Sequence, residues 1–169
     1  MGLLDDPSMR EIVVEFCDES KELLDELETV LEDLEDDPTR VELLEKFGQV
    51  IDRIMGAARS IGADEIGTFC ELGKAIGYKS SQTKDPALLE VVVGVLFDSH
   101  ELLVKMIAQI KTGHDNGLKA MNTQAFVTRL KWLQDKFKNI ERSSVSFSAD
   151  SKKELDQSSI DDLMSSLGL

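Results

Sequence analysis

The chain has 169 residues, with 33 acidic against 19 basic side chains and a formal net charge of −14. That balance argues against a sequence-independent grip on nucleic acid or anionic lipid, and 5% aromatic residues leave little for base stacking or sugar binding. MGLLDDPSMREIVVE has no cationic stretch leading into an apolar one, no run of about 18 apolar residues occurs, and Cys17 and Cys70 are too few for a disulfide framework. The expectation is a soluble, cytoplasmic protein with buried thiols, no membrane and no nucleic acid.

The elements read as helix throughout. Ile12, Phe16, Leu23, Leu27, Leu31 and Leu34 recur every three to four residues, with Ser8 and Glu11 as a capping box and Asp36-Asp37-Pro38 as the stop. Residues 1–37 hold 15 acidic side chains against only Arg10 and Lys21, so nearly all the net charge belongs to this first helix and its flank. The plain reading of that run is a solvated face.

Thr39 with Glu42 is expected to open a second helix with the stripe Leu43, Leu44, Phe47, Val50, Ile51, Ile54, Ala58 and Ile61, stopped by Gly62. A third is expected over about Asp64 to Ala75, closed by Gly77. Asp85 followed by Pro86 predicts a fourth, to about Lys111 before Gly113. Asn122 can cap a fifth that carries Phe126, Leu130, Leu133 and Phe137 to about Arg142. These elements form an all-α, up-and-down bundle of about five helices over residues 1–142. Residues 143–156 are serine-rich and read as a flexible linker. In residues 157–169, Ile160, Leu163, Met164 and Leu167 fall on one narrow face, with Ser158 and Asp161 as a cap. Isolated helices shorter than about 12 residues are marginal in water, so this amphipathic segment is a candidate partner-binding peptide. The plainer alternative is a fraying terminus or a helix docked on its own domain.

On the second helix, Glu45, Asp52, Arg53 and Gly56 fall within about 60° of Gln49, opposite Phe47, Ile51, Ile54 and Ala58. One side therefore faces the core, while the other displays carboxylates, a primary amide and a glycine. A glycine inside an exposed helix face costs about 1 kcal/mol relative to alanine, and one use for that loss is close approach by another protein. An ordinary solvated face is the bland alternative.

FGQVIDRIMGAARSIGADEI resembles the core motif of histidine phosphotransfer domains, especially the CheA N-terminal type, which reads H-x-x-K-G with small residues and a second glycine. Gly56, Ala57, Ala58 and Gly62 match, while Asp52 stands at the histidine position and Met55 at the lysine position. The resemblance covers roughly residues 8–142 and implies the bundle, but with histidine and lysine both absent it implies no transfer by the family mechanism at this site. Asp52 is a poor substitute, because a phospho-accepting aspartate needs a metal-binding acidic pocket.

QSSIDDLMSSLGL is similar to the regulator-docking peptide of the CheZ phosphatase family, in Ile160, Asp161, Asp162, Leu163, Met164, Ser166, Leu167 and Gly168; Leu169 replaces a terminal aromatic residue. The stretch Glu45 to Ile51, E-x-x-x-Q followed by V-I, resembles that family's D-x-x-x-Q. There the amide positions a water beside the regulator's aspartyl phosphate and the acid contacts a regulator lysine. The resemblance implies a CheY-type response regulator as partner, Gln49 and Glu45 as catalytic residues, and Asp52, Arg53, Gly56 and the tail from Ile160 to Leu169 as partner-binding. It implies no cofactor of the protein's own, with Mg²⁺ carried by the partner. A non-catalytic adaptor or sink is the alternative, a structural bundle with an accidental tail match the third, and homodimerisation is left open.

Other candidates are weaker. Phe97 to Leu102 faintly resembles the phosphorylated-histidine box of sensor kinases, and His100 reads as a solvated helix histidine. His114 has no ligand set beside it, no zinc spacing, phosphate loop or nucleophile elbow occurs, and Met55, Met106, Met121 and Met164 sit in apolar stripes.

Overall fold

The computed structural model describes residues 3–114, 117–144 and 157–169. Among the described residues the chain is helical, with no strand. Its long elements are α1 (Arg10–Asp36), α2 (Glu42–Ser60), α3 (Asp64–Ser80), α4 (Pro86–Lys111), α5 (Gln124–Ser144) and α6 (Gln157–Ser166). The first four form a closed ring in which α1 packs on α2, α2 on α3, α3 on α4 and α4 on α1. Short connections force sequential neighbours to run antiparallel, which gives the expected up-and-down bundle. The fifth helix lies against α4, and α6 packs on α3 and α5.

The apolar stripes account for the core. Every member of the predicted α2 stripe, from Leu43 to Ile61, is buried. In α1 the buried face centres on Val13, Phe16, Cys17, Leu24 and Leu27. Ile12 lies about 100° from Val13 and is left exposed, which corrects its place in the core stripe.

Helix ends depart from the expectation in an informative way. Ser8 does not cap α1: the Asp6 carboxylate accepts from Ser8 N (2.9 Å) and Ser8 Oγ (2.7 Å), within a 3-10 turn over Pro7–Met9 that leads into the helix. Thr39 likewise does not cap α2, because its N–H and hydroxyl are given to Asp37 at 3.1 and 2.6 Å. In both places the aspartate two residues earlier is the stronger acceptor and forms an Asx-type turn. Asp85 behaves as expected, accepting from Ala87 N at 3.0 Å with Pro86 in the first turn. Asn122 accepts from Gln124 N at 3.1 Å, and Gly62 and Gly113 take the left-handed conformation that ends α2 and α4.

The third helix is longer than expected. It runs through Gly77 to Ser80, because Gly73 and Gly77 are packing positions: a Cβ on either would lie 3.9 or 3.6 Å from the Phe47 ring. Most of the predicted linker, residues 145–156, lies outside the described residues, as does the side chain of Ser158, the predicted cap. The tail forms the expected helix and ends with Gly168 left-handed and Leu169 N bonded to the Met164 carbonyl at 2.9 Å.

Candidate functional site

The α2–α3 hairpin is held at three places along its length. At its turn, Ala63 N bonds the Ala58 carbonyl at 2.9 Å. One turn up, the Arg59 side chain crosses Gly67 and pairs with Glu71 at 2.7 Å. Further on, the buried Phe47 ring lies over Gly73 and Gly77, so the two backbones approach closely. Beside that contact the helices leave a groove of about 540 Å³. Its polar lining comes from Glu42, Glu45, Gln49 and Asp52 of α2, and from Lys74, Tyr78 and Ser81 on the α3 side.

The charges in the groove are partly matched. Lys74 Nζ sits 2.8 Å from Asp52 Oδ1 and 3.0 Å from Oδ2, with both side chains about two-fifths exposed. At that exposure the pair holds a geometry more than it stabilises the fold, since such pairs contribute about 0–1 kcal/mol. Met55, at the position of the family's lysine, is half-buried against the core. The cation facing Asp52 therefore arrives from the neighbouring helix. Among the described residues, Glu45 and Gln49 make no side-chain hydrogen bond or ion pair, and both are exposed. Glu42, at the groove's start, has its carboxyl held below the ordinary value by its own backbone N–H and by Arg40.

Arg53 and Gly56 continue the same exposed side of α2. Arg53 lies 3.7 Å from Glu26 of α1, and a Cβ on Gly48 or Gly56 would meet nothing within 4 Å. The residues that the spacing placed on one face therefore share a surface open to an incoming body. The tail does not join them: α6 packs on α3 and α5, Ile160 and Met164 are buried, Leu163, Leu167 and Leu169 are half-buried, and Asp162 is exposed. Asp161 accepts from the Gln134 amide at 2.6 Å.

Lys74 and Tyr78 escaped the sequence reading. Ending α3 at Ala75 removed the turn that carries Tyr78, and only the three-dimensional pairing sets Lys74 against Asp52. A lone lysine among the small and apolar residues of FCELGKAIG is the one local hint. His100 is not solvated as expected: it is half-buried, with Nε2 2.9 Å from the Leu24 carbonyl, an N–H donor tying α4 to α1. Cys17 and Cys70 are free and buried, and burial pushes both thiols up, Cys70 to about 12. Among the described residues no group of three or more His, Cys, Asp and Glu is placed to hold a metal ion, and no helix is long and apolar enough to cross a membrane.

Comparison with known proteins matches one family. The Hpt domain family covers residues 11–113, more than half of the chain; no curated protein and no solved structure matches. The matched region takes in the ring of α1 to α4 and stops at the left-handed Gly113. From that match and the ring of four helices that carries the α2–α3 groove, the chain belongs to the Hpt domain family, whose members serve two-component phosphotransfer signalling and interact with response regulators.

Proposed function

We propose that this Hpt-family bundle acts in the cytoplasm as a CheZ-like phosphatase of a CheY-type response regulator, with the regulator docked over the α2–α3 groove and tethered by the tail. The observation that carries the reading is the Gln49 amide: unpartnered among the described residues, exposed on the groove rim, one turn from Glu45 and flanked by open glycine positions. The phosphorylated aspartate and its Mg²⁺ belong to the regulator, so the bundle need supply only orientation. Gln49 accepts a hydrogen bond from a water and holds it in line with the phosphorus. The water oxygen–phosphorus bond forms as the aspartyl oxygen–phosphorus bond breaks, and both of the water's protons leave on the phosphate, giving dihydrogen phosphate and a free carboxylate. An amide cannot take the water's proton at neutral pH, so its role is positioning. Glu45 pairs with a regulator cation. Lys74 neutralises Asp52, which would otherwise repel the incoming phosphate.

The domain division follows from this reading: residues 1–142 as the docking bundle, 143–156 as connection and 157–169 as the regulator-binding peptide. A second reading is a non-catalytic adaptor or sink. It is favoured by the loss of the phospho-accepting histidine on a scaffold whose family already meets regulators.

The test is the decay of the phosphorylated regulator with the intact chain, with Gln49→Ala and with a chain ending at Asp156. The phosphatase reading expects acceleration by the intact chain, lost by about tenfold or more in Gln49→Ala while binding persists. It also expects acceleration by the shortened chain only at higher concentration. Unchanged decay together with tail-dependent binding would leave the adaptor.

A further inference from the structure

The tail helix is seated on its own bundle. Ile160 is 0% and Met164 4% exposed, and Leu163 and Leu167 pack partly against the core. Gln134 of α5, only 6% exposed, places its amide on Asp161 at 2.6 Å. On α3, Leu72 and Ala75 lie on the side turned away from Gly73 and Gly77, the α2-facing positions, and are nonetheless buried; α6 packs on this helix. A ten-residue helix does not stand alone in water, so α6 is helical here because the bundle covers its apolar face.

We propose that the α3–α5 face is a reversible seat for α6, and that seating withholds the tail from the response regulator. The inference rests on the preceding reading of residues 157–169 as a regulator-binding peptide. Ile160 and Met164 are the apolar anchors of that peptide, and they cannot face the bundle and a regulator at once. The two uses of the helix are therefore mutually exclusive, and the regulator sees only the released fraction. Attachment makes a weak seat effective. A short connection presents the tail at an effective concentration of about 1 mM, so a seat of about 0.1 mM intrinsic affinity leaves about one tail in ten free. Bundle and regulator thus compete for one helix. Whatever shifts that competition sets how much of the protein is ready to dock.

Gln134 gives the variant. Gln134→Glu keeps the shape of the side chain, leaves the tail sequence and the α2–α3 groove untouched, and turns the donor facing Asp161 into a second carboxylate. Two measurements on the full chain decide: amide hydrogen exchange of residues 160–169, and affinity for the regulator held in its phosphorylated form by beryllofluoride. The expected result is protection of these amides by about tenfold or more in the wild-type chain, its loss in Gln134→Glu, and regulator binding about three- to tenfold tighter in the variant. Unprotected tail amides in the wild-type chain overturn the inference, as does equal affinity once exchange shows the tail released. A synthetic peptide of residues 157–169 separates the two levels. If it does not bind the regulator, the reading of the tail fails and the inference falls with it. If it binds while Gln134→Glu, with its tail shown released by exchange, binds no tighter than wild type, the inference alone fails.

Discussion

Single side chains in this bundle are set by what their neighbours allow. Cys70 is a thiol with almost no access to water, and burial raises its pKa from 9.0 to about 12. The unfolded chain ionises first, so this thiol's contribution to stability is intact below pH 9 and lost as the pH rises toward 12. Denaturant melts should show the midpoint falling across that alkaline window, and less so in Cys70→Ala. A thiol reagent at pH 8 should label the native chain slowly and both cysteines at once in denaturant. Asp52 shows the same dependence on surroundings. In the sequence it is a substitution at a family position; in the structure it is one half of an ion pair whose other half stands 22 residues on, in another helix. Gln134 is a third case, a buried amide that spacing alone would assign to the core, used to hold the middle of α6 at Asp161.

At the scale of elements, α3 is the informative one. Glycine usually ends a helix, and by that rule Gly77 is a stop. Here it is an interior residue, kept small for Phe47. The space is enough for a methyl group, since a Cβ would sit 3.6 Å from the ring and 3.8 Å from the Leu44 carbonyl, ordinary contact distances. Gly77→Ala is therefore expected to stabilise the bundle by about 0.5–1 kcal/mol, through helix propensity and a less flexible unfolded chain. Gly77→Leu is expected to push α2 from α3 and cost about 1–3 kcal/mol. Thermal melts of the two variants check both signs. Gly117 obeys a different constraint. Its left-handed φ and the Glu65 carboxylate, which accepts from Leu118 N at 2.8 Å, leave no room for a side chain in the α4–α5 turn.

Over the whole molecule, the charge is separated from the core by the same periodicity that builds it. The acidic residues of α1 lie on its outer side, where a few long cations reach them, Lys111 to Asp18 at 2.5 Å and Arg53 to Glu26 at 3.7 Å. These pairs are exposed and contribute little each, whereas the repulsion among 15 carboxylates within 37 residues is summed over the helix. Salt screens attraction and repulsion alike, and here the repulsion is the stronger of the two. The melting temperature should therefore rise by a few degrees between about 10 mM and 0.5 M sodium chloride. A fall would mean that the ion pairs outweigh the repulsion.

How much of this was legible in the sequence follows from the range of the forces involved. The helices, the α2 stripe, the Asp85-Pro86 start and the Gly62 stop are readable because they depend on residues within a turn or two of one another. The exposed face of α2 with Glu45, Gln49, Asp52, Arg53 and Gly56 is readable for the same reason. Which acceptor a serine or threonine would choose at a helix start was misread, since Asp6 and Asp37 compete from outside the capping pattern. The sequence by itself determined an acidic, all-helical bundle and the set of side chains its second helix shows to solvent, through local periodicity. Only the tertiary structure decided that α3 continues past Gly77, that Lys74 meets Asp52 across a groove, and that α6 rests on α3 and α5. Each of these depends on two segments arriving side by side, and packing between distant segments leaves no period in the chain.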